Sequence, residues 1–171
     1  EQISRPDVTS EISYKNVDQA LNYGMEIEAR TLLSSLFNTD TSSLFDKFTV
    51  YANLAIIRSV VDVSEVLGAT TDTRPLQGQS PYVFNAGMNY FNPRLNWGMS
   101  VNINRVGPRI AIVGNVNEPD LWENSRTFVD LQLSKIFWKN RAEFKLNVAN
   151  ILAQKQEFYQ NNYSTESAKG I

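Results

Sequence analysis

Phe128-Val129-Asp130-Leu131-Gln132-Leu133-Ser134-Lys135 is the stretch that decides the fold. Val129, Leu131 and Leu133 stand at every second position, with Asp130, Gln132 and Ser134 between them. Successive side chains of a β-strand point to opposite faces, so this spacing makes one apolar and one polar face, and no helical stripe fits it. Arg141 to Val148 repeats the device, setting Ala142, Phe144, Leu146 and Val148 against Arg141, Glu143, Lys145 and Asn147.

Working outward, Tyr23, Met25, Ile27 and Ala29 oppose Asn22, Gly24, Glu26, Glu28 and Arg30. Tyr82, Phe84, Ala86, Met88 and Tyr90 oppose Asn85, Gly87 and Asn89, while Trp97, Met99, Val101 and Ile103 oppose Gly98, Ser100, Asn102 and Asn104. From Phe48 one face is wholly apolar (Phe48, Val50, Ala52, Leu54, Ile56), and the other carries Thr49, Tyr51, Asn53, Ala55, Ile57 and Ser59. A weaker first strand over about Val8 to Asn16 brings the expected number to seven.

Composition narrows the function classes. Lys and Arg total 16 against 18 Asp and Glu, with no basic stripe, which gives no electrostatic footprint for nucleic acid. The absence of Cys and His removes disulfides, thiolate nucleophiles, imidazole bases and the commonest zinc ligands. No Ser-His or Cys-His nucleophile can be built from this chain, Glu26 and Glu28 read as wall residues, and Gly68, Gly78 and Gly114 are too isolated to cradle a phosphate. No enzyme activity, cofactor or metal is expected.

Alternation alone also suits a soluble sandwich, so strand length and connections must decide. Strands in globular sheets average about five to six residues, whereas a tilted strand needs about nine to eleven to cross the hydrocarbon of a membrane. Asn22 to Leu33, Phe48 to Val60 and Arg126 to Phe137 are long enough. Short connections near Phe91 to Asn96 and Trp138 to Asn140, with a medium one over Asn38 to Asp46, alternate with long ones at Asp62 to Ser80 and Gly107 to Ser125. That asymmetry matches outer-membrane barrels, with short periplasmic turns and long outer loops. Tyr90, Phe91, Trp97, Phe137 and Trp138 would then form a periplasmic aromatic girdle, and Glu26, Glu28, Arg30, Asp130, Lys135, Arg141, Glu143 and Lys145 are expected on the polar, bore-lining face. Arg58 alone is assigned to the apolar face, near the outer strand end. An open sheet cannot exist in lipid, and the chain starts at Glu1 without a leader segment, so residues 1–171 read as part of a larger antiparallel transmembrane β-barrel.

Several stretches resemble TonB-dependent receptors of the Gram-negative outer membrane, in a Bacteroidetes-like form. Asn16-Val17-Asp18-Gln19-Ala20 with Tyr23-Gly24-Met25-Glu26-Ile27-Glu28 is similar to the N-x-x-x-A-x-x-x-G-x-E-x-E pattern of late barrel strands in that family. Leu76-Gln77-Gly78-Gln79-Ser80-Pro81-Tyr82 resembles its L-Q-G-x-S-P-Y entry to the next hairpin. Arg105-Val106-Gly107, Asp130 to Lys135 and Leu146 to Leu152 continue the match in order. The chain departs from the family by ending at Lys169-Gly170-Ile171 where a last strand closing on an aromatic is usual.

The resemblance implies seven strands of a barrel of about 22, with the terminal strand and an internal plug domain outside the chain. It implies multi-pass outer-membrane placement and active import of a scarce solute such as a siderophore, haem, cobalamin, a glycan or a peptide. TonB, ExbB and ExbD would act through the plug, and a surface lipoprotein is a further candidate partner. Arg74, Gln77, Gln79, Arg105, Arg109, Trp122 and Arg126 are the candidate solute contacts at the outer loops, arginine being suited to anions by its forked geometry. The competing assignment has Arg74 and Arg126 pair with Asp72 and Glu123, or with neighbouring strands, merely to order the loops. A soluble carbohydrate-binding β-sandwich, with Trp97, Trp122 and Trp138 as stacking platforms, is the alternative function.

Overall fold

The computed structural model describes residues 17, 19–37, 44–65, 69, 71–115, 118–139 and 141–160. Its main element is one antiparallel sheet of six long strands. These are β1 (Ala20–Leu32), β2 (Phe48–Asp62), β4 (Tyr82–Asn92), β5 (Trp97–Val106), β8 (Arg126–Phe137) and β9 (Ala142–Val148), in that spatial order. A two-residue β3 (Thr73–Arg74) pairs with the end of β2 as a seventh member. The expected first strand, Val8 to Asn16, lies outside the described residues. A second, three-stranded sheet consists of β6 (Arg109–Ile112), β7 (Leu121–Glu123) and β10 (Phe158–Gln160), with β7 central.

The period-two pattern decides the faces because residues paired across an antiparallel ladder share a side. Ala29, Ala52, Ala86, Ile103 and Val129 form one continuous rung across five strands. Met88, Val101, Leu131 and Val148 form part of the next but one toward the short turns, and Tyr90, Met99, Leu133 and Leu146 the one after. This apolar face is bare, with Met25 at 59%, Ile27 at 57% and Phe144 at 59% exposure. The buried apolar residues are Val61, Val63 and Ile110, all toward the long connections. Among the described residues no second layer covers the apolar face, so the closed core of a soluble sandwich is absent.

The connections place their ends as expected and fill in their content. The turn at residues 93–96 is tied by Asn92, whose side-chain oxygen accepts from the amides of Arg94 and Leu95. Successive hairpins end three and then two residues further toward the short-turn side, from the Leu32–Thr49 pair to Asn92–Trp97 to Phe137–Ala142. That stagger is the shear of tilted barrel strands. β1 and β9 each keep one unpaired edge among the described residues, so the sheet is a wall section and not a closed barrel. The medium connection holds a short helix, α1 (Leu33–Phe37), and a 3-10 turn over Leu44–Lys47. The long connection from Gly107 to Ser125, expected as loop, folds into β6 and β7, and the Glu157-Phe158-Tyr159 segment joins them through β10.

Three placements differ from expectation. Lys135 lies on the outward apolar face, because an odd position on β8 shares the side of Leu131 and Leu133. It pairs with Trp97 and Phe144, and its ammonium stands 5.1 Å from the Trp97 ring centre while donating to the Leu95 carbonyl at the strand end. A flexible stem carries the charge past the apolar belt, and the aromatic face partly replaces water. Of the five girdle aromatics, Tyr90, Trp97 and Phe137 do face outward, whereas Phe91 pairs with Gly98 on the polar face and Trp138 sits in the turn, 80% exposed. Phe48 and Phe144 complete the outward ring, with the Phe48 ring centre 4.8 Å from that of Tyr90 and the two rings tilted by 43°.

Candidate functional site

The polar face is organised by side-chain ladders. Asn104 donates to Asn85 at 2.6 Å, Asn85 to Asn53 at 3.4 Å, and Asn53 in turn to the Glu26 carboxylate. Four strands are thus linked through amides, which both donate and accept and so can be chained indefinitely. One step nearer the short turns, the Tyr51 hydroxyl donates to Asn102 Oδ1 at 2.8 Å, although Gly87 of β4 lies between the two strands. A Cβ on Gly87 would fall 2.6 Å from the Tyr51 ring, so the missing side chain is what lets the tyrosine lie across. At the end of the face Asp130 accepts from the Asn150 amide at 2.7 Å.

The outer end is held by the Leu76 to Pro81 segment. Gly78, at φ +80°, makes the tight turn closed by the Gln79 amide on the Leu76 carbonyl. From that turn the Gly78 amide and the Gln77 side chain donate to the carbonyls of Ile110 and Ala111, both at 2.9 Å. Buried Ser80 donates to the Gly107 carbonyl, and the Pro81 carbonyl accepts from Ile57. Two long connections that never meet in sequence are therefore stitched together by one turn.

Glu123 is the hub of the second cluster. Its side chain is 6% exposed and takes Arg109 on one oxygen at 2.8 Å and Arg126 on the other at 2.7 Å. Arg126 also lies 5.0 Å over the Phe128 ring. A buried carboxylate requires partners of this kind, since leaving it unpaired would cost several kcal/mol, on the order of 3 to 5. Two cations on one anion leave this three-residue cluster with one net positive charge.

The expected site residues divide accordingly. Arg109 and Arg126 are brought together by Glu123, and Trp122 neighbours them on β7, paired to Ile110 and Tyr159. Arg126 pairs with Glu123 as the loop-ordering assignment has it, but no Arg74–Asp72 ion pair is present among the described residues. Arg74 lies opposite Val61 on the polar side, and its Nη1 is buried without a hydrogen-bond partner. Gln77 spends its amide on the loop backbone. Arg105 belongs to β5, not to a loop, and faces outward, where it donates to Thr127, Tyr82 and Ser125 hydroxyls at 2.8, 3.3 and 3.4 Å. The Asn53–Asn85–Asn104 ladder and the Arg109 half of the Glu123 clamp escaped sequence reasoning, although the Asn92-Pro93 turn fixes a register that sets Asn85 beside Asn104.

A single antiparallel sheet with a bare apolar side, a hydrogen-bonded polar side and asymmetric ends defines the class, which is the wall of a membrane-spanning β-barrel. A family model of the outer membrane protein beta-barrel family matches residues 2–169, and the chain belongs to that family. Its place is the outer membrane. No curated protein and no solved structure matches the chain.

Proposed function

We propose that the chain forms part of the barrel wall of a TonB-dependent active importer of a scarce solute, a siderophore, haem, cobalamin, glycan or peptide. The observation that carries this reading is the folded outer mouth. An open diffusion pore needs only a polar bore, whereas here the second long connection folds into a sheet with β10, is clamped by Glu123 and is stitched to the first through the Leu76–Ser80 turn. Ordered mouths suit selective capture. The L-Q-G-x-S-P-Y resemblance falls on the stitching turn itself.

In this reading Arg109, Arg126 and Trp122 contact solute. The wall has no catalytic step. TonB, ExbB and ExbD would act through a plug, with a surface lipoprotein as a further partner. A soluble sandwich is disfavoured by the bare apolar face. The test is a strain lacking the full-length gene, grown on each solute class as the limiting supply. Energised import requires a growth defect for one class, repaired by the gene, with the repaired uptake lost when the proton gradient is collapsed. Repaired uptake that survives loss of the gradient would make the protein a passive pore.

A further inference from the structure

The outward face should carry no charge within the hydrocarbon, and its charges are confined to the ends. Lys135 marks the short-turn end, Arg58 and Arg105 lie toward the long-connection end, and Asp62 lies four residues beyond Arg58, its carboxylate engaged by the Ser64 hydroxyl and amide. Paired along the ladder, Arg58 sits beside Tyr23, and Arg105 beside Phe84 and Thr127. Tyr82 shares this side, opposite Ile56.

Depth follows from the strands. Trp97 and Arg105 are eight residues apart on β5, about 27 Å along the strand and roughly 21 Å of depth at a tilt of ~40°. Phe48 and Arg58 are ten residues apart on β2, which gives roughly 26 Å. An outer-membrane barrel presents an apolar band of about 25 Å, so with the aromatic ring at one interface both arginines fall at the other. Arg105 pairs four rungs short of Arg58 and two strands away, so their Cα atoms stand about 17 Å apart within the sheet, but the strand stagger offsets about two of the rungs and leaves only about 5 Å of depth between them.

Neither guanidinium is neutralised. Arg105 meets only neutral hydroxyls, and Arg58, exposed on this face, makes no hydrogen bond or ion pair among the described residues. On the polar side, by contrast, Arg109 and Arg126 are charge-paired. Two unpaired forked cations at the outer interface, flanked by Tyr23 and Tyr82 and spaced along it, complement the separate phosphates of a diphosphorylated headgroup held at that depth. We propose that Arg58 and Arg105 form an outward-facing site for the phosphorylated headgroup of a glycolipid in the outer leaflet. The lipid chains would lie on the apolar rungs below, which a freely dissolved phosphate cannot use. The inference rests on membrane placement and not on the importer reading.

The full-length protein in mild detergent is titrated with a diphosphorylated lipid A glycolipid, with its enzymatically dephosphorylated form and with inorganic phosphate, read by native mass spectrometry. The expected result is binding of the phosphorylated glycolipid alone, weakened more than tenfold in R58Q/R105Q and unchanged in R30Q on the polar face. R58K/R105K, which keeps both charges, retains part of the affinity, and heat-dependent gel migration verifies that each variant is folded. Equal binding of the dephosphorylated lipid, binding of inorganic phosphate as tight as the glycolipid, or an unaffected folded double variant would overturn the proposal.

Discussion

Leu131 and Gln132 are neighbours midway along β8, and the account assigns them opposite solvents. Leu131 pairs with Val101 and Val148 on the bare apolar face, and Gln132 with Ser100 and Asn147 on the polar one. Arginine introduced at Leu131 must enter hydrocarbon near its midplane, at a cost of about 2 to 4 kcal/mol, or a factor of roughly 30 to 700 in the folding equilibrium. Arginine at Gln132 reaches water and should cost under about 0.5 kcal/mol, as surface substitutions do. Arginine at Thr127, outward near the outer interface, should cost about 0 to 1 kcal/mol for its depth and about 1 kcal/mol more for the Arg105 hydrogen bond it removes, still below the midplane cost. The assay is urea unfolding of the full-length barrel in phospholipid vesicles, with folded fraction read from gel migration before boiling. A depth-independent penalty, with Thr127→Arg as harmful as Leu131→Arg, would refute the reasoning, as would equal costs at Leu131 and Gln132.

Other substitutions probe the polar side and the mouth. Glu123→Gln should destabilise the β6–β7 sheet by about 1 to 3 kcal/mol, below a fully buried pair because Arg109 remains 36% exposed, and should speed amide exchange there without shifting global unfolding. Gly87→Ala should cost about 1 to 3 kcal/mol by displacing the Tyr51 ring, and most of that penalty should vanish in a Tyr51→Ala background, measured as a double-mutant cycle. Gly78→Ala has open space around it, so its expected cost of about 1 to 2 kcal/mol is purely that of the left-handed backbone, and protease cleavage near Gln77 should report it.

Legibility in the sequence tracked the range over which each signal acts. The two faces of β8 and β9 could be read directly, because alternation is a property of adjacent residues, and the turn chemistry of Asn92-Pro93 located a hairpin without any tertiary information. The outer sheet was hidden, since β10 has three residues and pairs Phe158 with Glu123, far away in the chain, and a strand that short carries no periodicity. Glu123 taking Arg109 as well as Arg126 depends on the β6–β7 pairing, which sets Arg109 opposite Glu123. Lys135 departs from expectation in the opposite sense: parity on β8 turns it outward, and its place at the strand end lets a lysine stand there. Arg105, expected at an outer loop, is a strand residue because the ladder runs on to Val106.

The central claim is that lipid, and not protein, covers the apolar rungs. Since the chain has no native cysteine, spin labels can be placed one at a time from Phe128 to Ile136 of the full-length protein in vesicles. Odd positions should be open to dissolved oxygen and closed to a water-soluble nickel chelate, and even positions the reverse, in strict period two. Odd positions closed to both reagents would mean that protein packs on that face, and the barrel-wall account would be wrong.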